Sequence, residues 1–117
     1  MIKLNGRKIY LACGSTDMRK QINGLLALVE GDFHMNAFDE ALFVFCNRQR
    51  NRLKILTWDA DGFWLHFKRL EKGRFRWPSA SGESTMTLTD EEMELLLGNS
   101  KLTQKLRRNE VKERVVF

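Results

Sequence analysis

The chain has 117 residues, of which 43% are hydrophobic and 30% charged, and its formal net charge is +5. This length and composition indicate one folded domain and exclude both a disordered chain and a pair of domains. The charge is segregated, since residues 47–77 carry a net +6 while residues 1–46 are neutral and residues 78–100 carry −5. Such segregation favours an acidic partner.

The sequence contains no apolar run of about 18 residues that could span a bilayer, and its first ten residues lack the apolar region of a signal peptide. We therefore expect a cytoplasmic protein with no membrane partner. Cys13 and Cys46 are predicted to be buried thiols, because neither has a cysteine or histidine at ligand spacing. His34 and His66 are equally isolated, so neither a metal ion nor a cofactor is expected.

The first part of the chain predicts a strand followed by a helix. Residues 7–13 read as the strand, and Ser15 or Thr16 can cap a helix over residues 16–30. Four apolar residues of this helix fall at i, i+3, i+4 and i+7 and predict one buried face: Ile22, Leu25, Leu26 and Val29.

The apolar run at residues 41–46 predicts a central strand covered on both faces. A hairpin follows, with strands at residues 52–58 and 63–70 and a turn at Asp61-Gly62 that supplies a positive φ. Residues 74–77 read as a further short strand and residues 85–88 as an edge strand. Thr89 and Glu92 form a capping box for a short helix that ends at Gly98.

These elements predict an α+β domain over residues 1–98. We expect an antiparallel sheet of about five strands, with the first helix packed on one face and a short C-terminal helix. Residues 99–117 are predicted to form a basic tail or an extra, partner-binding helix. The oligomeric state does not follow from the sequence.

The parity of the hairpin places Arg52, Lys54, Leu56 and Trp58 on the face that carries Phe63, Leu65, Phe67 and Arg69. The flanking loops should lie at the basic end of that face, because successive turns of a meander alternate ends. The predicted nucleic-acid-binding residues are Arg48, Arg50, Arg52, Lys54, Arg69, Lys72, Arg74 and Arg76. Phosphates are the expected ligands, although cations on a sheet can also serve only to deter aggregation.

Aromatic residues interleave with these cations, as they do in sheets that stack nucleic-acid bases. Trp58, Phe63 and Phe67 are expected in the core, and Trp64 and Trp77 are the candidates for exposed stacking or partner contacts. The rings could equally all belong to the core. Asp59 and Asp61 could be imagined as a metal-binding pair, but no third carboxylate is evident beside them.

Several long strings in order carry a family resemblance: YLACGSTDMRK, LFVFCNRQRNRLKIL, WDADGFWLHFKRLEKGRFRWP and TLTDEEMELLL. They resemble the accessory protein TnpB of insertion-sequence family sixty-six, which is distinct from the RNA-guided nuclease of the same name. The resemblance covers about residues 9–98. It implies a bacterial mobile-element protein that is encoded beside a separate transposase and assists transposition without being the catalyst, and it brings no active site with it.

The expected function is therefore that of a non-catalytic accessory protein, not an enzyme, which binds DNA, the transposase or another accessory subunit of the same element. A pure protein-interaction adaptor without DNA binding is the alternative. A small metal-dependent nuclease is a third, less favoured hypothesis. The sequence does not give the DNA site or the transposition step.

Overall fold

The strand predicted at the centre of the sheet is buried along its whole length. In the computed structural model, which describes residues 4–80 and 82–98, the six residues of Ala41–Cys46 are all buried. The described strands are β1 (Lys8–Ala12), β2 (Ala41–Cys46), β3 (Arg52–Asp59), β4 (Gly62–Arg69) and β5 (Thr85–Leu88). They form one sheet in the order β4-β3-β2-β1-β5, so β2 is its middle strand.

The sheet is mostly antiparallel, and the two helices complete the α+β fold that the sequence predicts. The helices are α1 (Ile22–Ala27), which continues into a π-helical turn (Leu28–Asp32), and α2 (Asp90–Leu97). One strand pair departs from the predicted antiparallel sheet, because β1 and β2 run parallel. The reason is the helical crossover between them, which returns the chain to the end of the sheet where β1 began.

An apolar layer packs on each face of the sheet, so the side chains of β2 are buried on both faces. On one face, Leu25 and Val29 of the helical segment pack with Phe43 and Phe45. On the other face, Val44 packs with a cluster that includes Met93 of α2 and the buried rings of the segment after β4. Burial on both faces accounts for the continuous apolar run of β2.

The prediction that α1 begins near Thr16 is wrong. The helix begins at Ile22, its N-cap is Gln21, and no side chain caps it. Residues 16–20 are instead held in a non-helical path, because the Thr16 amide donates to the Cys46 carbonyl at 2.7 Å and the Asp17 carboxylate accepts from the Arg19 amide at 2.9 Å. These contacts with the sheet and within the turn override the helical pattern of the sequence.

The segment at residues 74–77 is not the predicted strand, and Trp77 is not exposed. Trp77 is only 6% exposed, and its indole nitrogen donates to the Ala12 carbonyl at 2.9 Å. Phe75 is buried in the same cluster, and its amide donates to the Arg50 carbonyl at 2.7 Å. The two rings cover the face of the sheet opposite α1, and this packing takes the place of strand pairing.

The β3–β4 hairpin has the predicted side-chain parity, with Lys54 opposite Phe67 and Trp58 opposite Phe63. Its turn differs from the predicted one. Asp59 pairs with Gly62, so the loop consists of residues 60 and 61, and Ala60 rather than Gly62 has the positive φ, 54°. The Asp61 amide donates to the Asp59 carbonyl, so the chain reverses about Ala60 with the i→i+2 hydrogen bond of a γ-turn.

The short C-terminal helix confirms the predicted capping box. The Thr89 hydroxyl accepts from the Glu92 amide at 3.1 Å, the Glu92 carboxylate accepts from the Thr89 amide at 2.9 Å, and Gly98 ends the helix with φ 77°. The predicted tail of residues 99–117 lies outside the described residues. Within the part of the chain that the structure describes, no helix is long and apolar enough to cross a membrane.

The two thiols differ in environment. Cys46 is completely buried, and burial raises its pKa to about 12, while Cys13 is half-buried with a pKa that burial also raises. In a Cys13→Ser variant we expect Cys46 to react with a thiol reagent at pH 8 at least about 100-fold more slowly in the native protein than in urea. The reagent cannot reach the buried sulfur, and the raised pKa keeps the thiol protonated.

A Cys46→Ala variant, which leaves only Cys13, is the control and should react without unfolding. Equal native and unfolded rates for Cys46 would contradict the burial of β2.

Candidate nucleic-acid interface

Backbone pairing gathers the predicted cations at one end of the sheet. Arg52 lies directly opposite Arg69, the Leu70 amide donates to the Asn51 carbonyl at 2.8 Å, and the Phe75 amide donates to the Arg50 carbonyl. The loop before β3 and the segment after β4 therefore run side by side. We call this region the basic end and define it by Arg48, Arg50, Arg52, Arg69, Lys72 and Arg74. All of these are exposed except Arg52, which is half-buried.

Asn47 holds the loop of the basic end in shape. Its side chain is buried, with Oδ1 accepting from the Asn51 amide at 3.0 Å and from the Arg52 amide at 2.9 Å, while Nδ2 donates to Asn51 Oδ1 at 2.8 Å. Arg50 adopts a left-handed backbone with φ 62°. The sequence analysis did not predict the structural role of Asn47, although an Asn that follows a buried strand is a known signal of a turn supported by a side chain.

Lys54 does not belong to the exposed set. It is 6% exposed, and its ammonium donates to the carbonyls of Met18 and Lys20, both at 2.8 Å. The prediction that Lys54 contacts phosphate is thus at odds with its position, because its donors are directed at the backbone of the segment before α1. The charge serves to hold that segment against the sheet.

Two ion pairs border the basic end. Arg69 donates to Glu71 Oε1 through Nε at 3.1 Å and Nη2 at 2.7 Å, and the pair is exposed. Arg19 donates to both carboxylate oxygens of Asp17, with the shortest distance 2.7 Å, and these bonds lower the pKa of Asp17 to about 2. Solvent-exposed pairs contribute little to stability, so Arg69 can exchange its carboxylate for another anion.

An open cleft of about 850 Å³ adjoins the basic end on the helix side of the sheet. Strands β3 and β4 provide its floor, and the segments at residues 15–21 and 47–49 provide its walls. Arg48, Arg52 and Phe67 line it, and Phe67 is 56% exposed. The prediction that Phe67 belongs to the core is wrong, since Phe63 and Leu65 pack against the helix-side core as partly buried residues whereas Phe67 is exposed.

The remaining predicted residues lie elsewhere. Trp64 is 58% exposed as predicted, but it points to the opposite face of the hairpin, where its ring stacks on His66 at 6.0 Å and its indole nitrogen donates to Asp59 Oδ2 at 3.1 Å. Burial lowers the pKa of His66. Arg76 is half-buried, and its sequence neighbours Phe75 and Trp77 are buried. Because the Trp77 ring is buried, it is not available to stack on a ligand.

No group of three His, Cys, Asp or Glu side chains within residues 4–80 and 82–98 is arranged to hold a metal ion. Asp59 and Asp61 both lie near the hairpin turn, at the end of the sheet opposite the basic end. Asp59 accepts the hydrogen bond from Trp64, which gives it a structural partner.

Comparison with known proteins identifies one family and two relatives. The model of the family described as "IS66 Orf2 like protein" matches residues 7–107. The chain is 41% identical over 75 residues to "Uncharacterized protein y4hO" of Sinorhizobium fredii, an alignment that covers 64% of this chain and 65% of that protein. It is 33% identical over 92 residues to "Uncharacterized protein y4jC" of the same organism, covering 79% and 78% respectively. No solved structure matches.

The burial and hydrogen bonds of Lys54 indicate that this residue stabilises the fold. Lys54→Met should lower the free energy of unfolding by about 2 kcal/mol, because two carbonyls lose a charged hydrogen-bond donor in a partly buried site. The measurement is urea denaturation at neutral pH.

Arg48→Met is the matched control, since Arg48 is an exposed cation of the same region, and it should change the stability by less than about 0.5 kcal/mol. Similar small effects for both variants would show that Lys54 is not a structural residue.

Proposed function

This chain belongs to the IS66 Orf2-like family of insertion-sequence proteins, and on that basis we propose that it assists transposition by binding DNA through the basic end. One observation supports this proposal above the others. Five exposed cations and the half-buried Arg52 meet at one end of the sheet, where Glu71 pairs with one of them, Arg69, and the nearby Asp17 pairs with Arg19, which is outside the set. An incoming phosphate backbone would relieve the repulsion among these cations.

The proposed contacts are to phosphates rather than to base edges in a groove. The cations lie on a loop, on strand ends and on the segment after β4, whereas α1 packs its buried side on the sheet and has only six residues. A short helix packed in this way cannot enter a major groove as a recognition helix does. Lys54 is left out of the proposed phosphate contacts because its donors are occupied.

In this proposal the chain cleaves and joins no DNA strand, and it requires no cofactor. Catalysis of the recombination reaction belongs to a separate transposase of the same element, with which the protein acts in the cytoplasm.

A second candidate function is that of a protein adaptor for the transposase or another accessory subunit. Its support is Trp64, an exposed ring on edge strand β4 that lies on the face away from the cleft. Large exposed aromatic residues are frequent anchors of protein interfaces. The two functions use opposite faces of the hairpin and are compatible.

The DNA-binding proposal is tested by a salt titration on duplex DNA. If Z phosphates are contacted, log affinity should fall with log salt concentration at a slope of about −0.9Z. Arg50→Gln removes one exposed cation at nearly constant side-chain length and should reduce the magnitude of that slope by about 0.9, with no change in sequence preference.

Lys8→Gln provides the control, because Lys8 is an exposed cation at the opposite end of the sheet, where it pairs with Ala41. Its slope should equal that of the wild type. An Arg50→Gln slope equal to that of the wild type, or no binding of the wild type at low salt, would favour the adaptor function instead.

A further inference from the structure

The cleft beside the basic end has the composition of a site for an unpaired nucleotide. Resting on the proposed function, we propose that it binds single-stranded DNA, with one base stacked on Phe67 and the adjoining phosphate held by Arg48 and Arg52. The inference depends on the juxtaposition of an exposed ring with cations that line the same concave surface.

The size and shape of the cleft suit a nucleotide. Its volume of about 850 Å³ falls in the range of roughly 300–1,000 Å³ that is usual for pockets holding small ligands. Phe67 lies on the floor, at the pairing position opposite Lys54, and more than half of its surface is accessible, 56%. A phenyl ring so exposed at the bottom of a cleft offers a flat apolar surface with space above it.

The charges of the cleft orient the ligand. Arg48 and Arg52 line it, whereas Lys54 closes the floor with its ammonium bound to backbone carbonyls. On the wall, Asp17 and Arg19 form an ion pair and neutralise each other. A phosphate is therefore attracted to the Arg48 and Arg52 side, which leaves Phe67 to the base.

An unpaired strand fits this arrangement better than a duplex. In a duplex the faces of the bases are covered by their neighbours, so a ring can stack only on a base that has left the helix. Phe67 should therefore contribute to single-strand binding and not to duplex binding.

The other strongly exposed ring of the hairpin lacks these features. Trp64 is similarly exposed, at 58%, but its indole donates to Asp59 and its ring stacks on His66. Lys68, on the same face of β4, donates to the Leu97 carbonyl. Base stacking is thus assigned to Phe67 rather than to the tryptophan that the sequence suggests.

The experiment compares Phe67→Leu with Trp64→Leu, a matched change on the opposite face. Fluorescence anisotropy would measure the affinity of the full chain for a 12-nucleotide oligo-dT strand and for a duplex of about the same length, at one low salt concentration. Loss of a stacked base should weaken single-strand binding by Phe67→Leu about tenfold, while duplex affinity stays within about twofold of wild type. Phe67→Tyr should restore single-strand affinity, and Trp64→Leu should change neither affinity.

The outcomes separate this inference from the proposed function. If Phe67→Leu keeps wild-type affinity for both DNAs, or loses both equally, the stacking site is overturned while DNA binding by the basic end still holds. A greater loss of single-strand affinity in Trp64→Leu would also overturn it. If the wild type binds neither DNA, both the inference and the proposed function fail. Because Phe67 is exposed, the variant is expected to fold, which its urea denaturation midpoint would verify.

Discussion

The hydrogen bonds from the Lys54 ammonium to the carbonyls of Met18 and Lys20 determine much of what this domain presents to solvent. Together with the Thr16–Cys46 and Asp17–Arg19 hydrogen bonds, they hold the segment before α1 in a non-helical path, and the helix starts at Ile22. This segment and the adjoining part of β3 and β4 line the cleft. A buried ammonium is costly unless its donors are satisfied, and here backbone carbonyls satisfy them.

Two groups of cations among the described residues have different physical roles. Arg7 donates to Thr57 Oγ1 at 2.8 Å and to the Trp58 carbonyl, and Lys54 donates to backbone carbonyls, so these charges hold distant segments together. Those of the basic end are exposed or half-buried, and Arg52 faces Arg69 across the strand pair. Like charges directly opposite each other destabilise a sheet. An anionic ligand at the basic end would offset this repulsion, which explains why so many cations lie together there.

The sequence predicted best those features that depend on neighbouring residues. Alternation determined the parity of the hairpin, the apolar run identified β2 as the middle strand, and Thr89 with Glu92 marked the start of α2. Each signal is local, and the family resemblance was likewise carried by continuous strings that the family match confirms.

Features that depend on what covers a surface could not be predicted in this way. The alternation of apolar and polar residues along a strand assigns a ring to one face of the sheet, but it does not show which part of that face other segments cover. Phe67 was therefore expected to be buried and Trp77 exposed, whereas the reverse is found. The non-helical path before α1 is held in part by Cys46 and Lys54, which are distant from it in sequence. The gathering of charge at one end of the sheet was predictable from parity, but the distinction between Lys54 and its exposed neighbours required the structure.

The central claim is that the basic end and its cleft form one continuous surface for single-stranded DNA. The most direct measurement is a ¹H–¹⁵N NMR titration of the full chain with oligo-dT. We expect amide shift changes to concentrate at residues 47–52 and 67–74, with the Trp64 and Trp77 indole signals unchanged because one lies on the opposite face and the other is buried. Changes centred on the Trp64 indole and α2, with residues 47–52 unaffected, would contradict the account.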